Sequence, residues 1–242
     1  MKYPATADSA RISEVFSSLQ GEGPYQGQPH MFVRFEECHI HCTYCDELGK
    51  VGRAYSPQSL LERLGALELH AGPHAYVSLT GGEPLLYLPF LMRVMPEIKK
   101  RNWRIYLETD GILWQALERV IGWCDVIAAD LKPSSVTKEE DFSSEHRRFL
   151  QIARNQNLFV KMVISRDLDI KEFWHLVRVM KETAPDAPLV LQAVTPIAHS
   201  VPPTADNETA LMELLTELRE QALGQLKDVR IIGRLHQYLN LP

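Results

Sequence analysis

Short runs of β-branched and aromatic residues alternate along the chain with stretches whose apolar positions recur every three or four residues. The runs "FVRF" (32–35), "YVSL" (76–79), "RIYLE" (104–108), "DVIAADL" (125–131), "LFVKMVI" (158–164), "PLVLQAV" (188–194) and "VRII" (229–232) read as strands. Helical patterns fall between them, over 56–67, 88–101, 113–122, 144–156, 170–184 and 206–226. In the first, Ser56 is an N-cap, Pro57 suits the first helical position, and Leu60, Leu61 and Leu64 share a face. Pro96 is expected to kink or break the second. The stretch "SVPPTADNET" (200–209) reads as a loop, and the longest helix runs from Ala205 to Gln225. Strand–helix alternation of this kind predicts a single α/β domain over 1–242, with a parallel sheet and ligand groups at the C-terminal ends of its strands. The number of strands suits an incomplete (β/α) barrel.

Composition narrows the class. Apolar residues make up 45% of the 242 and charged residues 24%, as in ordinary globular proteins. A net charge of -5 carries no basic footprint for nucleic acid. No apolar run approaches the roughly 20 residues that span a membrane, and "MKYPATADSARISEV" has no apolar core of a signal peptide. Four cysteines in a chain this long do not make a disulfide framework, so a reducing cytoplasm is expected.

Three of those cysteines lie within eight residues, in "FEECHIHCTYCDE": Cys38, Cys42 and Cys45, spaced C-x3-C-x2-C. One reading is zinc, but structural zinc sites close with four ligands and usually pair two C-x2-C elements. The fourth cysteine, Cys124, stands some eighty residues away in "GWCDV" and reads as a small buried hydrophobe. His39 and His41 alternate with the cysteines too tightly to complete one tetrahedral ion without strain. The other reading is an iron–sulfur cube, which needs four ligand positions. Three thiolates leave one iron open for a substrate or cofactor.

The loop, with aromatic Tyr44 before its last cysteine, resembles that of the radical S-adenosylmethionine (SAM) enzymes. The resemblance implies a [4Fe–4S] cluster on Cys38, Cys42 and Cys45, SAM on the open iron, and Tyr44 near the adenine. It also implies a fold of the radical SAM type. "SLTGGEPLLY" agrees independently: paired glycines admit close backbone approach, and Glu83 is placed to accept from the SAM ammonium group. "LETDG" (107–111) and "AADLKPSS" (128–135) end the next two strands. By resemblance, SAM contacts fall at Tyr44, Asp46, Gly82, Glu83, Glu108, Asp130, Leu131 and Lys132.

The stretch "EVFSSLQGEGPYQGQPHMFVRFEECHIHCTYCDE", with "DLKPSS" and the terminal "RLHQYLNLP", is similar to the family of 7-carboxy-7-deazaguanine synthases over essentially the whole chain. That family makes the deazapurine precursor of queuosine from 6-carboxy-5,6,7,8-tetrahydropterin, with loss of ammonia. A planar guanidinium suits the pterin carboxylate, and amide and carboxylate groups suit the ring's donors and acceptors. The resemblance assigns the substrate to Leu19, Gln20, Gly21, Glu22, Arg34, Thr80, His236 and Pro242. It further implies Mg2+, an external electron donor such as flavodoxin or ferredoxin, and a homodimer. The chain departs from the family at Glu47, where a Thr usually completes the magnesium site, so Glu47 is a candidate ligand beside Asp46. It departs again at Gly233-Arg234, where Pro-Gln is common. Two alternatives stand beside this reading: a glycyl-radical activating enzyme, and a zinc or iron–sulfur module without catalysis.

Overall fold

The computed structural model describes residues 6–195, 205–235 and 239. Nine strands form one sheet: β1 (Ala10–Leu19), β2 (Pro29–Phe35), β3 (Arg53–Tyr55), β4 (Tyr76–Gly81), β5 (Ile105–Thr109), β6 (Val126–Leu131), β7 (Leu158–Ile164), β8 (Leu189–Ala193) and β9 (Val229–Ile231). Their order is β3-β1-β2-β4-β5-β6-β7-β8-β9. From β2 to β9 every pairing is parallel, while β1 runs antiparallel to both β2 and β3. The two ends do not meet, so the barrel is incomplete, as expected.

The helices are α1 (Pro57–Ala71), α2 (Leu88–Lys100), α3 (Trp114–Val120), α4 (Ser134–Thr137), α5 (Ser143–Ala153), α6 (Ile170–Thr183) and α7 (Ala205–Ala222). Ser56 caps α1 as expected, its hydroxyl accepting from the Ser59 amide. Pro96 does not break α2, because Leu91, Val94, Met95 and Ile98 around it are all fully buried and hold that turn. The helix expected through Gln225 stops at Ala222, and residues 205–209 of the expected loop are helical.

β1 and β3 were not anticipated. β1 buries Ala10, Ile12 and Val15, but a register shift between Ile12 and Glu14 breaks the alternation that betrays a half-buried strand. The three residues of β3 are too few to show a period.

Side chains two apart on a strand share a face. The outward face packs under the helices in a large core that includes Leu79, Leu107, Ile127 and Val160. The inward face divides along its length. Its lower part is an apolar plug of Tyr76, Tyr106, Val126, Ala128, Phe159 and Val190, with Tyr25 packed against it. Two residues further on, toward the C-terminal ends, the same face turns polar: Tyr106 is followed by Glu108, Ala128 by Asp130, and Phe159 by Lys161. The plug is the floor of a cavity and the polar layer is its wall.

Candidate active site

One cavity gathers Cys38, Cys42 and Cys45 with Leu19, Gln20, Gly21, Glu22, Arg34, Tyr44, Asp46, Glu47, Thr80, Gly82, Glu108, Asp130 and Lys132. Nearly every site residue expected from the sequence therefore lines a single space. Glu83 and Leu131 are not in its wall. Leu131 points into the helical core. Glu83 is fully buried and accepts from the Leu85 amide (2.9 Å), the Thr109 hydroxyl (3.0 Å) and the Asp110 amide (2.8 Å). Burial, with Asp110 beside it, raises its carboxyl well above the ordinary range. These bonds tie the segment after β4 to the end of β5. His236 and Pro242 lie outside the described residues.

The cysteine loop follows β2 and is tied down on three sides. Beneath it, the Gly82 and Glu83 amides donate to the Phe35 and Glu37 carbonyls at 2.8 and 2.7 Å. A Cβ on Gly82 would sit 2.1 Å from the Glu37 carbonyl oxygen, and Gly81 has φ +103°. The glycine pair thus lets two backbone segments touch, a use that the sequence reading had given to a ligand. On a second side, His39 Nε2 lies 2.6 Å from Asp110 Oδ2. On the third, the Thr43 amide donates to the Thr137 carbonyl at 3.1 Å.

All four cysteines are free. Burial pushes the Cys38 thiol up to about 12 and raises Cys42 as well. Among the described residues no three His, Cys, Asp or Glu side chains converge as ligands of one ion. Three thiols on one cavity wall are a donor set that suits a cube, whose ligands reach separate irons. Cys124 is buried in the helical core, as expected.

Two charge networks cross the cavity wall. In the first, cations and anions alternate from Lys132 to Asp130 (2.6 Å), Lys161 (3.5 Å), Glu22 (2.5 Å), Arg234 (2.9 Å) and Asp46 (2.9 Å). Burial disfavours the Lys132 charge, but Asp130, Tyr44 and Cys42 outweigh it and hold its pKa well above the ordinary lysine value. In the second, Arg34 Nη1 reaches Glu47 at 2.8 Å, Arg34 Nε reaches Glu14 at 2.9 Å, and Lys50 bridges the same two carboxylates at 3.1 and 3.0 Å. Glu36, two residues along from Arg34, pairs with Arg11 instead.

Between the networks sits Glu108, which accepts from Gln20 Nε2 at 2.9 Å and Thr80 Oγ1 at 2.6 Å. Burial raises its pKa, against the opposing pull of Lys161. Its two neighbours, Gln20 and Thr80, are residues expected to meet the substrate. Gln20 itself lies in the turn between β1 and β2, which the Gln20 amide closes on the Gln28 carbonyl at 2.8 Å.

The Radical SAM superfamily model matches residues 32–134, from β2 through the start of α4. A 7-carboxy-7-deazaguanine synthase from Geobacter sulfurreducens is 34% identical, covering 95% of this chain and 97% of its own. The chain belongs to the 7-carboxy-7-deazaguanine synthase family. A second member, from Methanothermobacter thermautotrophicus, is 31% identical over 96% of this chain and 98% of its own. Among solved structures, QueE from Escherichia coli superposes with a TM-score of 0.59 at 18% identity, covering 94% of this chain and 95% of that one. SuiB from Streptococcus suis gives 0.60 at 15% identity, over 85% of this chain and 49% of that one. These two show the shared fold.

Lys161, Arg234, Asp110 and His146 are the site residues that sequence reasoning missed. Lys161 had a signal: a lone lysine inside the apolar "LFVKMVI" must face either a core or a cavity. His146 had none. It sits in α5, accepts from the Lys132 amide through Nε2 (3.1 Å) and donates through Nδ1 to the Gly111 carbonyl (3.0 Å). It thereby clasps the two strand-end loops together.

Membership of this family makes the chain a radical SAM lyase, with a [4Fe–4S] cluster and SAM as its cofactors. Magnesium fits less well. Asp46 is held by Arg234, and Glu47 by Arg34 and Lys50, so protein cations already neutralise both expected ligands.

Proposed function

We propose that the chain converts 6-carboxy-5,6,7,8-tetrahydropterin to 7-carboxy-7-deazaguanine with loss of ammonia, as a step toward queuosine or a related deazapurine. What carries this reading is one cavity in which the three-cysteine loop faces a half-buried carboxylate set by Gln20 and Thr80.

Cys38, Cys42 and Cys45 hold the cluster. When bound, the cluster and SAM supply the radical chemistry that removes a hydrogen atom from the pterin. The residues of this chain bind, orient and shield. Glu108 has one bond on each oxygen and room for another, which suits the 2-amino group and ring N–H of a pterin. Arg34 offers the carboxylate a planar fork. Phe16 and Phe32 stack at 5.1 Å beside it and give a flat ring an apolar wall. Tyr44, Asp130 and Lys132 line the side nearer the cluster loop and take SAM. The aromatic plug below excludes water, and the six-member charge chain fixes the wall in place before ligands arrive.

No step is routed through Mg2+. A one-electron donor of flavodoxin or ferredoxin type, a homodimeric state and a cytoplasmic location complete the reading. No helix among the described residues is long and apolar enough to cross a membrane.

The test is anaerobic incubation of cluster-reconstituted protein with SAM, dithionite and the carboxy-tetrahydropterin. Formation of 7-carboxy-7-deazaguanine is the expected result. SAM cleavage that leaves the pterin untouched but installs a glycyl radical on a protein partner would favour an activating enzyme.

A further inference from the structure

Arg34 faces the cavity already engaged. A guanidinium presents two edges for a bidentate carboxylate, one through Nε and Nη2 and one through Nη1 and Nη2. Glu47 accepts from Nη1 at 2.8 Å, whereas Glu14 lies 2.9 Å from Nε as an ion pair without a hydrogen bond. Glu47 lines the cavity and Glu14 does not, so a ligand carboxylate that takes two parallel bonds from the Nη1–Nη2 edge on that side must displace Glu47.

The two carboxylates are not equivalent. Glu47 lines the cavity and its side chain is 15% exposed, whereas Glu14 lies outside the wall and is 43% exposed. Glu47 also has somewhere to go. Lys50 Nζ is 3.1 Å from the same oxygen that Arg34 holds. The four groups, two cations and two anions, are neutral as they stand, so an arriving carboxylate gains full use of Arg34 only if Glu47 gives way.

We propose that Glu47 is an internal competitor for the substrate carboxylate: it occupies Arg34 in the empty site and shifts onto Lys50 when the pterin carboxylate binds. This rests on the pterin reading above. It gives Glu47 the role of a displaceable counter-ion in place of a magnesium ligand. It also makes Glu47 a determinant of specificity. A ligand with a well-placed carboxylate can displace it, while a stray small anion lacks the ring contacts that offset the exchange.

The test uses unreactive, fluorescent 6-carboxypterin and its analogue without the carboxylate, pterin, titrated anaerobically into cluster-reconstituted protein without added magnesium. In Glu47→Gln the size is kept and the competing charge is lost. The 6-carboxypterin affinity should rise about tenfold, one order of magnitude in Kd, while pterin affinity changes less than about twofold. In an Arg34→Met background the same Glu47→Gln change should have no effect on 6-carboxypterin, because a generic loss of negative charge would persist there and a local competition would not. Unchanged or weaker 6-carboxypterin binding in Glu47→Gln overturns the proposal, as does an equal gain in the Arg34→Met background. If neither pterin binds the unaltered protein, the pterin reading falls and this proposal with it. The visible absorption of the cluster reports that each variant is folded.

Discussion

Gln20 and Glu108, eighty-eight positions apart, meet at 2.9 Å between Nε2 and Oε1, and Thr80 closes on the other oxygen at 2.6 Å. The β1–β2 turn, β4 and β5 are brought to one carboxylate. In Thr80→Val that half-buried carboxylate loses a donor, which costs about 1 kcal/mol of stability. Urea unfolding should show the loss. Pterin affinity should fall as well, because the remaining oxygen geometry loosens, while SAM cleavage without substrate persists.

Cys42→Ala should abolish the iron–sulfur absorption and all SAM cleavage. Cys124→Ala should keep both, since Cys124 is packed in the helical core with its thiol donating to the Val120 carbonyl at 3.7 Å. A Cys124 variant unable to assemble the cluster would contradict the ligand assignment.

His146 should leave a mark on the pH dependence of stability. Burial lowers its pKa from the ordinary 6.5, so the folded protein resists a proton that the unfolded chain accepts. At pH above 6.5 neither state is protonated and the histidine makes no difference. As pH falls below that value, the unfolded state gains protons first and stability is lost until the folded pKa is passed. His146→Gln should flatten this segment of the curve relative to the unaltered protein, measured by denaturant unfolding across the range. Identical pH slopes would show that His146 does not titrate as placed.

These residues also mark what was legible beforehand. Seven strands showed in the sequence as β-branched and aromatic runs, because buried parallel strands need apolar side chains on both faces. The cysteine loop was legible because its spacing is chemically demanding. β1 was obscured by its bulge. The bonds of Glu83 to the Thr109 hydroxyl and the Asp110 amide were not legible, because they join segments some twenty-six positions apart. The clasp by His146 and the reach of Arg234 to Asp46 join residues far apart in sequence, and no local pattern records such a contact.

The tail begins at the cavity rim. The Leu235 amide donates to the Gly21 carbonyl at 2.8 Å, and Gln26 Nε2 donates to the Gly233 carbonyl at 2.5 Å. Arg234 adds ion pairs to Glu22 and Asp46. Arg234→Ala leaves two carboxylates without that partner and, with Asp46 half exposed, should cost about 1 kcal/mol in the contacts that hold the tail. The loss should appear as a raised KM for the pterin with cluster content unchanged. Removing Leu241 and Pro242, or adding a C-terminal tag, should cripple turnover while cluster and SAM binding persist. A fully active tagged enzyme would reduce the tail to packing.

If this cavity directs cluster-and-SAM chemistry at a carboxy-tetrahydropterin, the hydrogen removed comes from the pterin ring. A substrate carrying deuterium at C6 tests it most directly, by mass spectrometry of the 5′-deoxyadenosine formed in an anaerobic reaction. Deuterium is expected in the 5′-deoxyadenosine, together with 7-carboxy-7-deazaguanine. Unlabelled 5′-deoxyadenosine with the pterin recovered intact would contradict it.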